Sequence, residues 1–295
     1  MKVAVIVVNY NDADDTVNYV KKISKYEIIQ KIVIVDNLST EINAIEKLKD
    51  LESDKVIVLQ SDKNGGYAYG NNFGVQYLEK LEEKYDYLVI SNPDVEVTEN
   101  AIYECLQILS KNDNVAIVAP RMYDLNNKPI RRSSWKKRTF LLDVIHSTRL
   151  LELIFYKKLR SGEYSEEEYS QKTLEVEAIS GAFFIVKYDV FKEIGMFDEN
   201  VFLFYEEDIL AQKLAEKGYK TISVNSVNFV HFESQTIGKT LSYYKKCKQL
   251  YKSKMYYQKK YNKINEFQIF VFGVLNVFRK IELLVEIPIR KILKK

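Results

Sequence analysis

Three consecutive carboxylates, Glu206, Glu207 and Asp208, follow the aromatic-aliphatic run 201–205 and open a helical pattern that ends at Gly218. A helix N-terminus favours ionised carboxylates through its dipole and unpaired N–H groups, so a base that stays charged at neutral pH fits there. Acids in a first turn are also ordinary helix-start residues. Upstream, two strand-like runs end in Val8-Asn-Tyr-Asn11 and Val35-Asp-Asn37. Asp36 can accept the imide N–H of a uracil or thymine ring, with amide bonds from Asn9 and Asn37; the same residues also serve as turn formers. Gly65 and Gly66 precede a helix, where backbone N–H groups can approach a phosphate or simply close a tight turn. In Asn92-Pro-Asp94, Asp94 can hold a divalent ion against a pyrophosphate with hard oxygen ligands, and Asn92 can meet the ribose or support that ion. His231 is one of two histidines; the other, His146, has no role from its context.

The elements that must position these residues alternate. Strand-like runs at Val3–Val8, Lys31–Val35, Val56–Leu59, Tyr87–Ser91 and Val115–Ala119 are separated by helical periodicity at Asp14–Ser24, Glu41–Leu51, Ala68–Glu83 and Glu99–Ser110. Continuous β-branched runs alternating with amphipathic helices predict a mainly parallel sheet covered on both faces, with ligands beyond the strand C-termini. After Pro120 the pattern loosens. A basic cluster (Arg131, Arg132, Lys136, Lys137, Arg138) surrounds the single tryptophan, Trp135, and Glu163–Glu177 reads as a solvated helix or loop. A strand at Ala182–Val186, a helix at Tyr188–Ile194, the acidic helix Glu206–Lys217 and strands at Lys220–Val224 and Asn228–Val230 follow.

Composition bounds the class. The chain has 295 residues, 46% of them apolar, which suits one large α/β domain or a domain with an appendage. Two distant cysteines, Cys105 and Cys247, exclude a disulfide framework and point to a reducing compartment. The first apolar run is too short for a signal peptide's core, and no window suits a spanning helix. From Lys239 to Lys295 there are 15 Lys and Arg against 3 Glu, so a basic tail follows an acidic body. Its partner is an anionic surface, and without an accompanying recognition motif nucleic acid is the weakest choice. The apolar stretch Phe267–Ile289, broken by charges, suits an amphipathic segment in a bilayer interface; it equally suits a helical appendage packed on the body or on a second copy, a homodimer.

Taken in order, these pieces resemble the inverting family 2 glycosyltransferases of the GT-A fold, particularly their rhamnosyltransferase-like branch. The matching elements are Val7-Val-Asn-Tyr-Asn11, Val35-Asp-Asn37, Asn64-Gly-Gly-Tyr-Ala68 with Asn71-Asn72, Asn92-Pro-Asp94, Ser180-Gly-Ala-Phe183, Gly195-Met-Phe-Asp198, the acidic helix start and His231-Phe-Glu-Ser234. The resemblance implies a GT-A nucleotide-diphospho-sugar transferase domain at 1–238 and a basic amphipathic helical extension at 239–295. It implies a donor site drawn from Asn9, Asn11, Asp36, Asn37, Asn64, Gly66, Asn71, Asn92 and Gly181, with Asp36 reading the base. Asp94 stands at the metal-binding place of the family's Asp-x-Asp motif, where Asn92 replaces the first acid, and His231 completes a site for Mg²⁺ or Mn²⁺. The family's usual Glu-Asp base pattern is shifted here. Counting back from Gly218 aligns Glu207 with the base, and Glu207 also shares a stripe with Leu210, Ala211 and Leu214; Asp208 is the second choice. The implied partners are a UDP- or dTDP-linked sugar, rhamnose among the candidates, and a glycan or lipid-linked acceptor in cell-surface polysaccharide synthesis. The implied location is cytoplasmic, peripheral at the inner face of the cell membrane. A non-catalytic nucleotide-sugar-binding protein and a sugar nucleotidyltransferase are the rival readings; the latter expects a Gly-rich basic loop after the first strand, unlike Asn9-Tyr-Asn-Asp12.

Overall fold

A computed structural model describes residues 1–232 and 242–293. Its centre is a nine-stranded sheet. β1 (Val3–Asn9), β2 (Lys31–Asp36), β3 (Val56–Gln60) and β4 (Tyr87–Ser91) pair in parallel in the order β3-β2-β1-β4. Alternate residues of β1 enter two different cores: Val3, Val5 and Val7 on one face, Ala4 and Ile6 on the other. That is why these strands read as unbroken apolar runs. Helices α1 (Ala13–Ile23), α2 (Ala44–Lys49) and, further on, α4 (Glu99–Lys111) cover the first face through Val20, Ile23, Leu48, Leu106 and Leu109; α3 (Gly66–Leu78) covers the second through Val75 and Leu78. Each fully buried aliphatic side chain contributes about 1.5–3 kcal/mol relative to exposure.

The second half of the sheet is mixed. β5 (Val95–Val97) and β6 (Val115–Tyr123) precede two short strands, β7 (Ser134–Trp135) and β9 (Ala178–Ile179), which pair as a separate ribbon. Between them lie α5 (Phe140–Ile145), α6 (Arg149–Ile154), α7 (Tyr156–Leu159) and β8 (Thr173–Val176). β10 (Phe183–Lys187) inserts antiparallel between β4 and β6, and α8 (Tyr188–Glu193) and α9 (Glu206–Glu216) follow. β11 (Lys220–His231) runs parallel to β6 and antiparallel to β5 and β8, and unites the two strands expected at 220–230 across an irregularity between Val224 and Asn228.

The stretch Glu163–Glu177, expected as a solvated helix or loop, contains β8. Val176 is buried and Leu174 half-buried, so a two-residue alternation was hidden among charged neighbours. Two tail helices, Tyr243–Lys260 and Glu266–Leu293, complete the fold. The boundary expected at 238/239 lies outside the described residues. Among the described residues, no helix is long and apolar enough to cross a membrane.

Candidate functional site

The C-terminal ends of β1 and β2 bring Asn9 and Asp36 together. Both are fully buried, and Asn9 Nδ2 donates to Asp36 Oδ1 at 2.8 Å. Asp36 also accepts from the Ser39 hydroxyl, from Ser39 N–H at 3.1 Å and from Gln60 Nε2 at 3.3 Å. A carboxylate has about four acceptor positions, so a nucleobase N–H at Asp36 would compete with the long Gln60 contact. Asn37 donates to Gly66 O at 2.9 Å and Asn64 Oδ1 at 3.2 Å, and Asn64 Oδ1 accepts from Gly66 N–H at 3.2 Å. The second strand end therefore holds the glycine loop. Asn11 joins the two strand-end loops, its Oδ1 accepting from Thr40 and Glu41 N–H. Asn71 turns back onto its own helix, donating to Tyr67 O at 2.9 Å.

The glycine loop is tied in turn to the acidic segment. Tyr67 N–H donates to Phe202 O at 3.2 Å, and a Cβ at Gly66, whose φ is +87°, would lie 1.9 Å from that oxygen. Phe204 and Tyr205 then take left-handed backbone conformations in succession, φ +71° and +72°, before α9 begins. Such conformations cost aromatic residues about 1–3 kcal/mol each and persist where the surroundings enforce them. Tyr205 is held by its hydroxyl, which donates to the fully buried Asp143 at 2.7 Å, and Asp143 also accepts from Gln258 Nε2 of the first tail helix at 2.6 Å.

The three carboxylates then separate by environment. Glu206 is buried, its Oε1 without a hydrogen-bond partner among the described residues, and burial next to Glu207 holds its pKa well above the ordinary range. Asp208 is buried and engaged: Oδ1 accepts from Trp135 Nε1 at 2.8 Å and lies 3.7 Å from Arg138 Nε. Glu207 is half-buried and borders a cavity of about 780 Å³. Its Oε1 accepts from Gly181 N–H at 3.2 Å, while the Tyr67 hydroxyl donates to Gly181 O at 2.7 Å. Burial raises the Glu207 pKa above 4.5, opposed by backbone N–H bonds and reinforced by Asp208. A carboxylate so placed, open to a cavity and with raised proton affinity, suits general-base work.

Gly181 lies in the turn leading to β10, and the next residue bonds the β4–β5 connection that carries Asn92 and Asp94: Asn92 N–H donates to Ala182 O at 2.8 Å. Asp94 and His231 meet there. Oδ2 and Nε2 are 3.1 Å apart, because β5 pairs with β11 and sets His231 opposite Val95. Asp94 is buried and His231 half-buried. Among the described residues, no group of three or more His, Cys, Asp or Glu is arranged to hold a metal.

Several contributors escaped sequence reasoning. Tyr67 braces Gly181 and Asn72 locks the Gly195–Asp198 turn through Phe197, while Arg138 and Lys254 stand in the cavity's charged wall with the fully buried Asp143 behind them. The basic cluster around Trp135 was the available signal for Arg138; Asp143 and Lys254 had none.

The sequence model described as "Glycosyl transferase family 2" matches residues 4–195. The low-salt glycan biosynthesis hexosyltransferase Agl10 of Haloferax volcanii is 28% identical over 205 residues, covering 69% of this chain and 58% of that protein. The N-acetylglucosaminyl-diphospho-decaprenol L-rhamnosyltransferase of Mycobacterium tuberculosis is 21% identical over 154 residues, 52% of this chain and 49% of its own. The chain thus spans between about half and three-fifths of these relatives. Among solved structures, GalNAc-T7 with UDP, GalNAc and Mn²⁺ superposes with a TM-score of 0.60 at 17% identity, covering 78% of this chain and 43% of that one, a likeness of GT-A fold.

Proposed function

Because this chain belongs to glycosyl transferase family 2, we propose that it moves a sugar from a nucleoside diphosphate to an acceptor hydroxyl, with inversion and with Glu207 as base. The observation that carries this reading is the division of labour at the α9 start. Of three adjacent acids, Glu206 is buried away from the cavity, while Glu207 and Asp208 both border it and Asp208 is held by Trp135 and Arg138, which leaves Glu207 as the acid open to a substrate hydroxyl. Glu207 takes the proton of the acceptor hydroxyl as its oxygen attacks the anomeric carbon, and the bond to the diphosphate breaks on the opposite side. The backbone N–H of Gly181 holds the Glu207 carboxylate, and Tyr67 holds Gly181.

Asp94 and His231 fit a divalent ion shared with the substrate: one carboxylate and one imidazole converge, leaving the remaining positions to diphosphate and water oxygens. Mg²⁺ or Mn²⁺ bound there would offset charge on the leaving diphosphate. UDP or dTDP is the proposed carrier, at a base site formed around Asp36 and Asn9. A glycan or lipid-linked hydroxyl in cell-surface polysaccharide synthesis is the proposed acceptor.

The proposed site of action is the inner membrane surface, and exposed side chains support it. Phe267, Phe270, Val277, Ile281 and Leu284 face solvent along the second tail helix. Glu282 accepts from Arg149 and Leu150 N–H, which brings exposed Leu150, Leu153 and Ile154 beside that face. Phe270→Glu with Leu284→Glu should abolish flotation of the full chain with anionic vesicles; unchanged flotation removes the membrane role.

The reaction is tested by incubating purified chain with a panel of UDP- and dTDP-sugars, acceptors and Mn²⁺. Release of nucleoside diphosphate that depends on Asp94, lost in Asp94→Ala, is the expected result. Binding without turnover for every sugar would leave only a nucleotide-sugar-binding protein.

A further inference from the structure

The cavity beside Glu207 is far more cationic than proton abstraction requires. Arg131, Arg132, Lys136, Arg138, Arg160 and Lys254 line it. The acids in the same wall are already engaged: Glu152 with His146 and Arg149, Glu163 at 4.0 Å from Arg131, and Asp208 with Trp135 and Arg138. Asp36, Asn37, Asp94 and His231 are not among the residues that line this space, so its cations are not those proposed to meet the donor's diphosphate.

Three cations there lack full compensation. Lys254, 4% exposed, donates to Asp143 O and Ser147 Oγ, both at 3.1 Å, and forms no ion pair among the described residues. Burial pushes its pKa down to about 8. Arg138 keeps a buried Nε without a hydrogen bond, and Arg132 makes neither hydrogen bond nor ion pair among the described residues. For the buried Lys254 and the half-buried Arg138 a low-dielectric wall is costly unless an anion meets them, whereas Arg132 is exposed and already solvated. Guanidinium forks match phosphate oxygens two at a time, and an ammonium adds a point charge. Beyond Lys254 a second cavity, about 580 Å³ and sharing His146 and Glu152 with the first, continues between α6 and the tail helices past Arg279 and Lys280. The space therefore extends away from the base.

We propose that this cavity receives a phosphate or diphosphate ester carried by the acceptor, held by Arg132, Arg138 and Lys254; the inference rests on Glu207 as the base. Arg138 contacts Asp208, the neighbour of Glu207 in the chain. Glu207 lines the same cavity as the three cations, so the phosphate held there and the hydroxyl being activated belong to one ligand, and the acceptor is a glycosyl phosphate. A reaction that joins a first sugar to a phosphate carrier must supply it.

Calorimetric titration of the full chain tests this with an octyl hexosyl diphosphate, the uncharged octyl hexoside and a hexose-bearing glycerol phosphate oligomer, with UDP as the donor-site control. A charged probe should bind at least about tenfold tighter than the neutral hexoside, and Lys254→Met and Arg132→Gln should each remove about tenfold while UDP binding is unchanged. The tighter charged probe names the source, lipid carrier or soluble phosphodiester. Equal binding of charged and neutral probes overturns the proposal. So does Arg132→Gln binding the diphosphate as wild type does, since that exposed position leaves folding intact. Transfer to the neutral hexoside at the full rate sinks the cavity assignment and keeps the base. Lys254-dependent diphosphate binding without any transfer sinks the base and keeps the cavity.

Discussion

The two sides of the candidate site are built on opposite electrostatic plans. On the nucleotide side, Asn9, Asp36, Asn37 and Asn64 answer one another with hydrogen bonds and fix the loops before any ligand arrives, with the buried Asn71 Oδ1 the one exception among these donor-site residues. On the cavity side, charge is left over: Arg138 has an unbonded Nε and Lys254 no ion pair among the described residues, while behind the wall Glu206 keeps a bare buried oxygen. Saturated polar networks give rigidity and cost little, whereas partly satisfied ones place their unmet demand on a ligand. The nucleotide side is thus preorganised, and the cavity side is where binding and proton transfer draw on stored electrostatic strain.

The largest test of this contrast is Glu207→Gln. Turnover should fall about 100- to 10,000-fold with UDP affinity intact, because Glu207 bonds none of Asn9, Asp36, Asn37 and Asn64 and meets the donor side only through the backbone N–H of Gly181. A parallel loss of UDP affinity would mean that the two sides are not separable, and a larger loss in a folded Asp208→Asn would transfer the base role there. The same carboxylate sets the pH profile. Its pKa is raised above 4.5, the base must be deprotonated, and so kcat/KM should decline as pH falls through a value above 4.5; an acidic limb below it refutes the assignment. Next in size is Gly66→Ala, which sets a Cβ 1.9 Å from Phe202 O in a left-handed backbone. A loss of at least about 2 kcal/mol in denaturant unfolding is expected, and an unperturbed melt would show the loop to be softer than its hydrogen bonds suggest. The smallest effect has the opposite sign. Burial raises the pKa of Glu206 in the folded protein, so the fold holds that proton more tightly than the unfolded chain. Stability is therefore lost as pH rises from 4.5 through the raised value. Glu206→Gln removes that loss and should stabilise the protein by about 1 kcal/mol at pH 7; destabilisation instead would mark Glu206 as a needed anion.

The same contrast explains what was legible in the sequence. The nucleotide side is written locally: β-branched runs place Asp36 at the end of β2 and Asp94 just past β4, and a turn-forming glycine announces the loop at 65–66. The meeting of Asp94 with His231 followed from motif order, although the strand pairing that produces it, β5 with β11, gave no local signal in a three-residue strand. The cavity side depends on residues far apart in the chain. Asp143 looks like one more acid in an amphipathic turn, and Lys254 like one of many lysines in a Tyr/Lys-rich helix. Only the packing of Tyr257 against Tyr205, Val201 and Ile209 turns that helix inward. β8 was hidden for a related reason: its exposed charges outweighed two apolar positions in any local reading.

The bond from Gln258 to Asp143 spans 115 positions in the chain. At a synthesis rate of about 5–20 residues per second, Asp143 leaves the peptidyl-transferase centre roughly ten seconds before its partner exists. The nucleotide-binding strands can be complete while the wall facing the acceptor is still being translated. Birth order thus separates a half that can take shape early from a half that waits for the last helices of the chain.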